Sequence, residues 1–240
     1  MESNLDRWQN MDTLTDLFIK QVNTVIERKY FIPAGNGQSA FIDNHIMPLQ
    51  QFLDKNKVDT TLKEHRIPIL VVVPNSIVTL GYQLEKIRES FKETRFDYII
   101  KPEWFKNAEG VLTPDTPYLL FDVETGYSMR NTSPKKCVTA FSHEGRSGLT
   151  IDEGIALITH FPEVLASHWI DLPGSVLIHK LAGQDAMRRG MQTALPPGFG
   201  LETFVPAFYY KYYNSLRLYY VSQSLETPYS GSASCARRSF

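Results

Sequence analysis

The stretch Arg66-Ile67-Pro68-Ile69-Leu70-Val71-Val72-Val73-Pro74 constrains this chain more than any other. Five consecutive aliphatic residues stand between two prolines. The run is far short of the ~20 apolar residues that a membrane span needs, and it lacks the alternation of a strand with one wet face. It is expected to be a strand buried on both faces, central in a sheet that helices cover. Enclosing such a strand takes a large core, and 240 residues with 42% hydrophobic positions supply one. The architecture expected is one α+β domain over 1–240. It has a helical N-terminal part over 1–60, a mixed central sheet with helices, and an aromatic C-terminal hairpin.

Local signals fill in that outline. Leu14, Leu17, Phe18, Val22, Val25 and Ile26 recur at helical spacing, and Pro33-Ala34-Gly35-Asn36-Gly37 ends the helix. Phe41, Ile42, His45, Ile46, Leu49, Phe52 and Leu53 suggest a second helix, which Pro48 should kink. A helix is expected over 79–92, and strands over 96–100 and 118–123, with a loop at Pro114, Asp115 and Pro117. Glu124-Thr125-Gly126 makes a turn. Ser133-Pro134 combines a capping hydroxyl with proline at the first helical position. Thr150-Ile151-Asp152-Glu153 is a capping box. Pro162 opens a further helical turn, and Ile170 leads into Pro173-Gly174. Glycines and prolines over 180–200 indicate a long surface excursion. The segments 204–213 and 216–222, joined by Asn214-Ser215, suggest a hairpin. Phe204, Phe208, Tyr210 and Tyr212 would share one face, and Tyr209, Lys211 and Tyr213 the other. The small, polar tail Ser230-Gly231-Ser232-Ala233-Ser234-Cys235 reads as flexible.

Charge narrows the partners. Lys and Arg total 25 against 26 Asp and Glu, a net charge of −1, so the basic excess of a duplex-binding domain is absent and nucleic acid is disfavoured. Glu2, Asp6 and Arg7, with no apolar stretch behind them, do not read as a secretory signal. No membrane association is expected. Cys137 and Cys235 form no CxxC, and free thiols in a reducing cytoplasm are expected.

No HExxH, GxSxG, GxxxxGK[ST] or GxGxxG occurs in the sequence. The histidines His45, His65, His143, His160, His168 and His179 show no ligand spacing, so neither a metal nor a cofactor is expected. Asp122 and Glu124 fall at the end of a strand, where α/β sheets place ligands, and could act as catalytic bases. Arg146 lies in a glycine-flanked turn before a helix N-terminus, a setting that favours an anion. The plainer alternative makes Asp122 a turn cap and Arg146 half of a structural ion pair. Cys235 is a nucleophile candidate only if something lowers its pKa. Ser175, Ser232 and Ser234 could present hydroxyls to a ligand, although turns also use serine for ordinary backbone bonding. Tyr209 and Tyr213 could support a homo-oligomer.

Several segments also carry a family resemblance. The run from Arg66 to Pro74, Pro117-Tyr118-Leu119-Leu120-Phe121-Asp122-Val123-Glu124-Thr125-Gly126, and Gly145-Arg146-Ser147-Gly148-Leu149-Thr150-Ile151-Asp152-Glu153-Gly154-Ile155-Ala156-Leu157 are its main blocks. With Phe161-Pro162-Glu163, Gly174-Ser175, Val205-Pro206-Ala207 and the tail from Gly231 to Ala236, the chain resembles a bacterial family of unknown function over most of 60–240. The resemblance implies one fold unit and no particular reaction. Material near 180–200 looks inserted, and Tyr219-Tyr220 and Thr227-Pro228-Tyr229 stand where Trp-, Cys- and His-bearing segments are expected in relatives. Three functions fit these features. The first is a regulatory protein binding a small molecule or anion in a cleft among Arg146, Asp122, Ser175 and the tail. The second is a hydrolase or transferase using an acidic residue and an arginine clamp. The third is an interaction module built on the tyrosine hairpin.

Overall fold

In the computed structural model, which describes residues 14–56, 65–90, 97–98, 101–178, 203–211 and 215–239, the N-terminal apolar stripe winds as α1 (Leu14–Glu27). Leu17, Phe18 and Val25 enter the core. The second helical segment starts as α2 (Gln38–Phe41), loosens into a π-helical turn over Ile42–Ile46, and continues as α3 (Met47–Lys55). Pro48 explains the π turn. It has no N–H to give, and its ring would strike the carbonyl one ordinary turn back; the wider turn relieves both.

The aliphatic run forms β1 (Arg66–Val72), in which Ile67, Ile69, Leu70, Val71 and Val72 are fully buried. Each such side chain contributes roughly 1.5–3 kcal/mol by leaving water. The strand is not central. It pairs antiparallel with β4 (Tyr118–Glu124) and ends its sheet, whose order continues through β11 (Ser234–Cys235) to β5 (Ser147–Gly148), with β12 (Arg237–Arg238) also on β4. Side chains replace the missing neighbour. Gln21 of α1 donates Nε2–H to the Ile69 carbonyl (3.0 Å) and accepts the Val71 N–H on Oε1 (2.8 Å). The Val71 carbonyl accepts from His160 Nε2 (3.1 Å). One buried amide and one buried imidazole thus satisfy an edge that would otherwise be dry and unpaired.

A second sheet runs β10 (Ser230–Ser232), β6 (Trp169–Asp171), β8 (Phe204–Lys211), β9 (Ser215–Ser222), β2 (Asp97–Tyr98). Its two outer pairings are parallel and its inner ones antiparallel, so it is mixed. A small antiparallel pair joins β3 (Phe105–Asn107) to β7 (Ser175–Leu177). The hairpin of β8 and β9 is present, but Ser215 already pairs with Lys211, so the connection is not the two residues expected. The excursion expected over 180–200, His179, Tyr212 and Tyr213 lie outside the described residues.

Helix α4 (Leu80–Ser90) follows β1, and α5 (Pro134–His143) follows β4. Ser133 precedes α5 as expected, yet its hydroxyl makes no cap hydrogen bond. The capping box of α6 (Ile151–His160) is complete: Thr150 Oγ1 accepts the Glu153 N–H, and Glu153 Oε2 accepts the Thr150 N–H at 2.7 Å. A contiguous hydrophobic cluster draws on α1, β1, α4, β4, α6 and the hairpin, and reaches Ala233 and Cys235. No helix among the described residues is long and apolar enough to cross a membrane.

The tail is the main departure from expectation. Residues from Ser230 to Cys235 are all buried, because this segment is the stitch between the two sheets. Its small side chains are a steric requirement. A Cβ on Gly231 would sit inside the Gly126 carbonyl, and one on Gly126, at φ +101°, inside the Gly231 carbonyl. Gly148 and Gly174 make a second backbone-to-backbone crossing of the same kind.

Candidate functional site

Asp122, Arg146 and Ser234 do come together, although no open anion site results. Gly145, at φ +65°, follows α5, and the helix closes with Gly145 N–H on the Ser142 carbonyl (3.3 Å) and Arg146 N–H on the Phe141 carbonyl (2.8 Å). This is a Schellman C-cap. The turn expected to offer amides to an anion therefore ends one helix before it approaches the next. The Arg146 guanidinium is spent internally. Nε donates to Ser234 Oγ (3.0 Å), Nη1 to Asp122 Oδ2 (2.7 Å), and Nη2 to the carbonyls of Asp122 (2.6 Å) and Ser234 (3.2 Å). It rivets β4 to β11.

Asp122 interrupts β4 with φ +50°, opposite Pro68 of β1, which has no N–H for the ladder. Such a backbone costs about 1–3 kcal/mol. Two arginines hold it there, since Oδ2 also accepts from Arg66 Nη1 at 2.7 Å. Glu124 is buried and accepts the N–H groups of Gly126 (3.0 Å) and Ser128 (3.2 Å), which makes it the cap of the turn that leaves β4. Burial raises its pKa, and those two amides oppose the rise. Ser175 makes no hydrogen bond with Arg146. Its Oγ accepts the Ile151 N–H (3.0 Å) and so satisfies a free donor at the start of α6.

Cys235 does not have the surroundings of a nucleophile. It is fully buried, and burial beside Glu153 pushes its thiol up to about 12. Glu153 itself is committed to Arg238, which donates from Nε (2.6 Å) and Nη2 (2.8 Å), and to the Tyr118 hydroxyl (3.1 Å). This buried ion pair locks β12 across the sheet to α6.

A polar cluster with unspent capacity lies where β10 crosses the turn after β4. Asp171 of β6 is 1% exposed and stands in register with Ser232 of β10. The Ser230 hydroxyl supports its carboxyl, yet burial raises its pKa to about 6. Asp171 Oδ1 is buried without a hydrogen-bond partner among the described residues, and the Ser232 hydroxyl has none but the Cys137 thiol. Cys137 of α5 faces the same place. Its thiol lies against Ser232 and within electrostatic reach of Asp171 and Glu124, and burial raises its pKa. His168 borders the cluster with Nε2 on the Thr125 carbonyl (2.9 Å) and Nδ1 on Ser167 Oγ (2.7 Å), and burial lowers it to about 4, so the ring is neutral. Among the described residues, no group of three or more His, Cys, Asp or Glu could hold a metal ion. What the arrangement offers is a desolvated carboxyl with a hydroxyl in register on the neighbouring strand. It suits a ligand group that donates hydrogen bonds.

Sequence reasoning names Ser232 as a ligand candidate and does not name Asp171, Cys137 or His168. The available signal was Asp171 at the end of a short strand, directly before Leu172-Pro173-Gly174.

On the outer side of the second sheet, Trp169 contacts Tyr209 (ring centroids 5.1 Å) and Tyr229 (5.6 Å), and Tyr209 meets Tyr219 edge-on (6.2 Å). These four rings form a row across three strands and the segment before β10, with Tyr229 64% exposed.

Neither the curated proteins nor the solved structures yield a match to this chain. A family model does match, over residues 26–185. That span takes in Asp122, Glu124, Cys137, Arg146, Asp171 and Ser175. It begins earlier than the resemblance expected from residue 60 and stops before the hairpin and the buried tail, so Ser232, Ser234 and Cys235 lie beyond it. With two thirds of its length matched, the chain belongs to the family of unknown function DUF5701.

Proposed function

We propose that this chain is a cytoplasmic regulatory protein that binds a small molecule through Asp171 and Ser232, the ligand presenting an ammonium, amide or hydroxyl donor. One observation carries the reading: Asp171 Oδ1 is buried and lacks a donor, with the Ser232 hydroxyl, which meets only the Cys137 thiol, in register beside it. A protein interior rarely keeps such a pair dry, because each unsatisfied group costs about 1–3 kcal/mol. The saturated Arg146 moves the site away from the anion clamp and toward a donor ligand. Two unpaired, buried cysteines support a reducing compartment.

The test is to denature purified protein and its Asp171→Asn variant and compare released small molecules by mass spectrometry. The reading expects a compound carrying a donor group from the wild type and its loss from the variant. A wild type that releases nothing, together with a crystal structure placing an ordered water on Asp171 Oδ1, would refute it.

An enzymatic reading draws on the same residue. A carboxyl that ionises near 6 can take and return a proton close to neutral pH. On that reading Asp171 replaces Asp122 and Glu124 as the base, since both of those are occupied as structural acceptors. A third reading, self-association, is favoured by the half-buried aromatic row that ends in the exposed Tyr229. Tyr209→Ala would then lower the mass measured by light scattering, and a wild type that is already monomeric would exclude it.

A further inference from the structure

On the opposite flank of β1, the turn that follows α1 meets the C-terminal end of α6. Arg28 reaches across this junction and donates from Nη2 to the Thr159 carbonyl (3.1 Å). Around that contact, Arg28 Nη1 and His160 Nδ1 are buried with no hydrogen-bond partner among the described residues, and the hydroxyls of Tyr30 and Thr159 have none but each other. Tyr30, Thr159 and His160 are 2%, 3% and 8% exposed, so water outside the fold does not reach them.

Their characters are complementary. His160 Nε2 faces the Val71 carbonyl, which can only accept, so Nε2 carries the ring proton. Burial beside Arg28 keeps the ring neutral, with its pKa lowered to about 3. Nδ1 is therefore a bare lone pair that needs a donor. Arg28 Nη1 is a charged donor. Glu27 and Glu89 act on it from a distance, and it makes no ion pair among the described residues. The hydroxyls of Tyr30 and Thr159 bond to each other, which leaves one hydroxyl proton for a third group. The occupant that answers this set carries negative charge, several acceptor oxygens and one proton of its own. Water brings no charge to a desolvated guanidinium, and sulfate brings no proton to Nδ1.

We propose that Arg28, Tyr30, Thr159 and His160 form a binding site for a small protonated oxyanion of the hydrogenphosphate or hydrogencarbonate class, distinct from the Asp171 cluster. Arg28 Nη1 and one of the two hydroxyls donate to its oxygens, and His160 Nδ1 accepts its O–H. Occupancy ties the α1 turn to α6 and, through His160, to the open edge of β1.

The full chain is to be melted at pH 7.5 and fixed ionic strength while sodium phosphate, sodium hydrogencarbonate and sodium sulfate are titrated separately. The proposal expects a saturable rise in Tm with phosphate or hydrogencarbonate, the better of the two naming the ligand, and only the gradual, non-saturating rise of an excluded salt with sulfate. Arg28→Gln should abolish the saturable part. Tyr30→Phe keeps the buried ring and should raise the half-saturating concentration about tenfold, which preserves the test if Arg28→Gln does not fold. Equal responses to sulfate and phosphate in all three proteins would overturn the proposal. So would a crystal structure grown with phosphate that shows only water between the four atoms.

Discussion

Replacing Asp171 by Asn separates the energetic position of this carboxyl from its function. Folded Asp171 ionises near 6 against its ordinary 3.8, because burial opposes the charge more than the Ser230 hydroxyl supports it. At about 1.4 kcal/mol per pH unit, holding it charged costs the fold about 3 kcal/mol at neutral pH. The sign follows from linkage. Below pH 4 the side chain is protonated in both states and the fold keeps its full stability. Between 4 and 6 the unfolded chain has released the proton and the folded one has not, so stability falls as pH rises; above 6 the loss is complete. Asparagine cannot ionise, and its carbonyl oxygen can keep the Ser230 bond. The variant should therefore match the wild type near pH 4 and exceed it by up to about 3 kcal/mol at pH 7.5, a Tm gain of roughly 6–12 °C for a chain of this size.

Urea melts at pH 4, 5, 6 and 7.5, on protein stripped of ligand by refolding from denaturant, measure the gap directly. His160 and His168, held neutral by burial with pKa values lowered to about 3 and 4, lose stability in the opposite direction as pH falls, but they do so in both proteins and cancel in the difference. A gap that does not change with pH, or an Asn variant that is the less stable protein at 7.5, would refute the assignment of a costly buried carboxyl.

Three further outcomes follow from the geometry. Arg146→Ala should cost about 2–4 kcal/mol in a denaturant melt, since it strips hydrogen bonds from Asp122 and Ser234 and leaves a strained Asp122 with one arginine; a loss under about 0.5 kcal/mol would show that the rivet between β4 and β11 is idle. Cys137 and Cys235 should both resist a thiol reagent in the native protein and titrate fully in guanidinium, given that burial raises both thiols; prompt labelling of either in the native state would contradict their placement. Gly126→Ala should cost about 3 kcal/mol or more by melt or abolish soluble expression, because a Cβ there meets the Gly231 carbonyl at a φ that only glycine adopts easily; a variant of normal stability would mean that β10 does not cross this turn.

Elements written by neighbouring residues were legible in the sequence, and those written by distant ones were not. The stripe of α1, the capping box at Thr150 and Glu153, and the buried run of β1 each rest on residues a few positions apart, and each stands in the structure. The place of β1 at a sheet edge rests on Gln21 and His160, whose role no local pattern announces. Arg146 was ambiguous for a physical reason. A glycine followed by arginine between two helices serves equally to cap the first or to lead into the second, and only the hydrogen bond to the Phe141 carbonyl decides. The tail was misread because small, polar composition commonly marks a solvated end. Here the smallness lets two backbones touch at Gly126 and Gly231, and the hydroxyls of Ser230, Ser232 and Ser234 face buried partners or buried neighbours.

The same contrast bears on where function resides. Asp122, Glu124, Arg146 and Ser175 attracted attention because charged and hydroxyl side chains at strand ends and turns are what binding sites use; in this fold each of their principal polar groups is answered by a named partner within the chain. A group whose hydrogen bonds are filled stabilises a structure and has little left for a ligand. Asp171 and Ser232 are the reverse. They are buried where an apolar pair would cost less, in register on neighbouring strands, with acceptor and donor capacity left over. Stability alone would remove such a pair, so its excess polarity is something that packing does not explain, and on the reading proposed above a ligand would supply the missing hydrogen bonds.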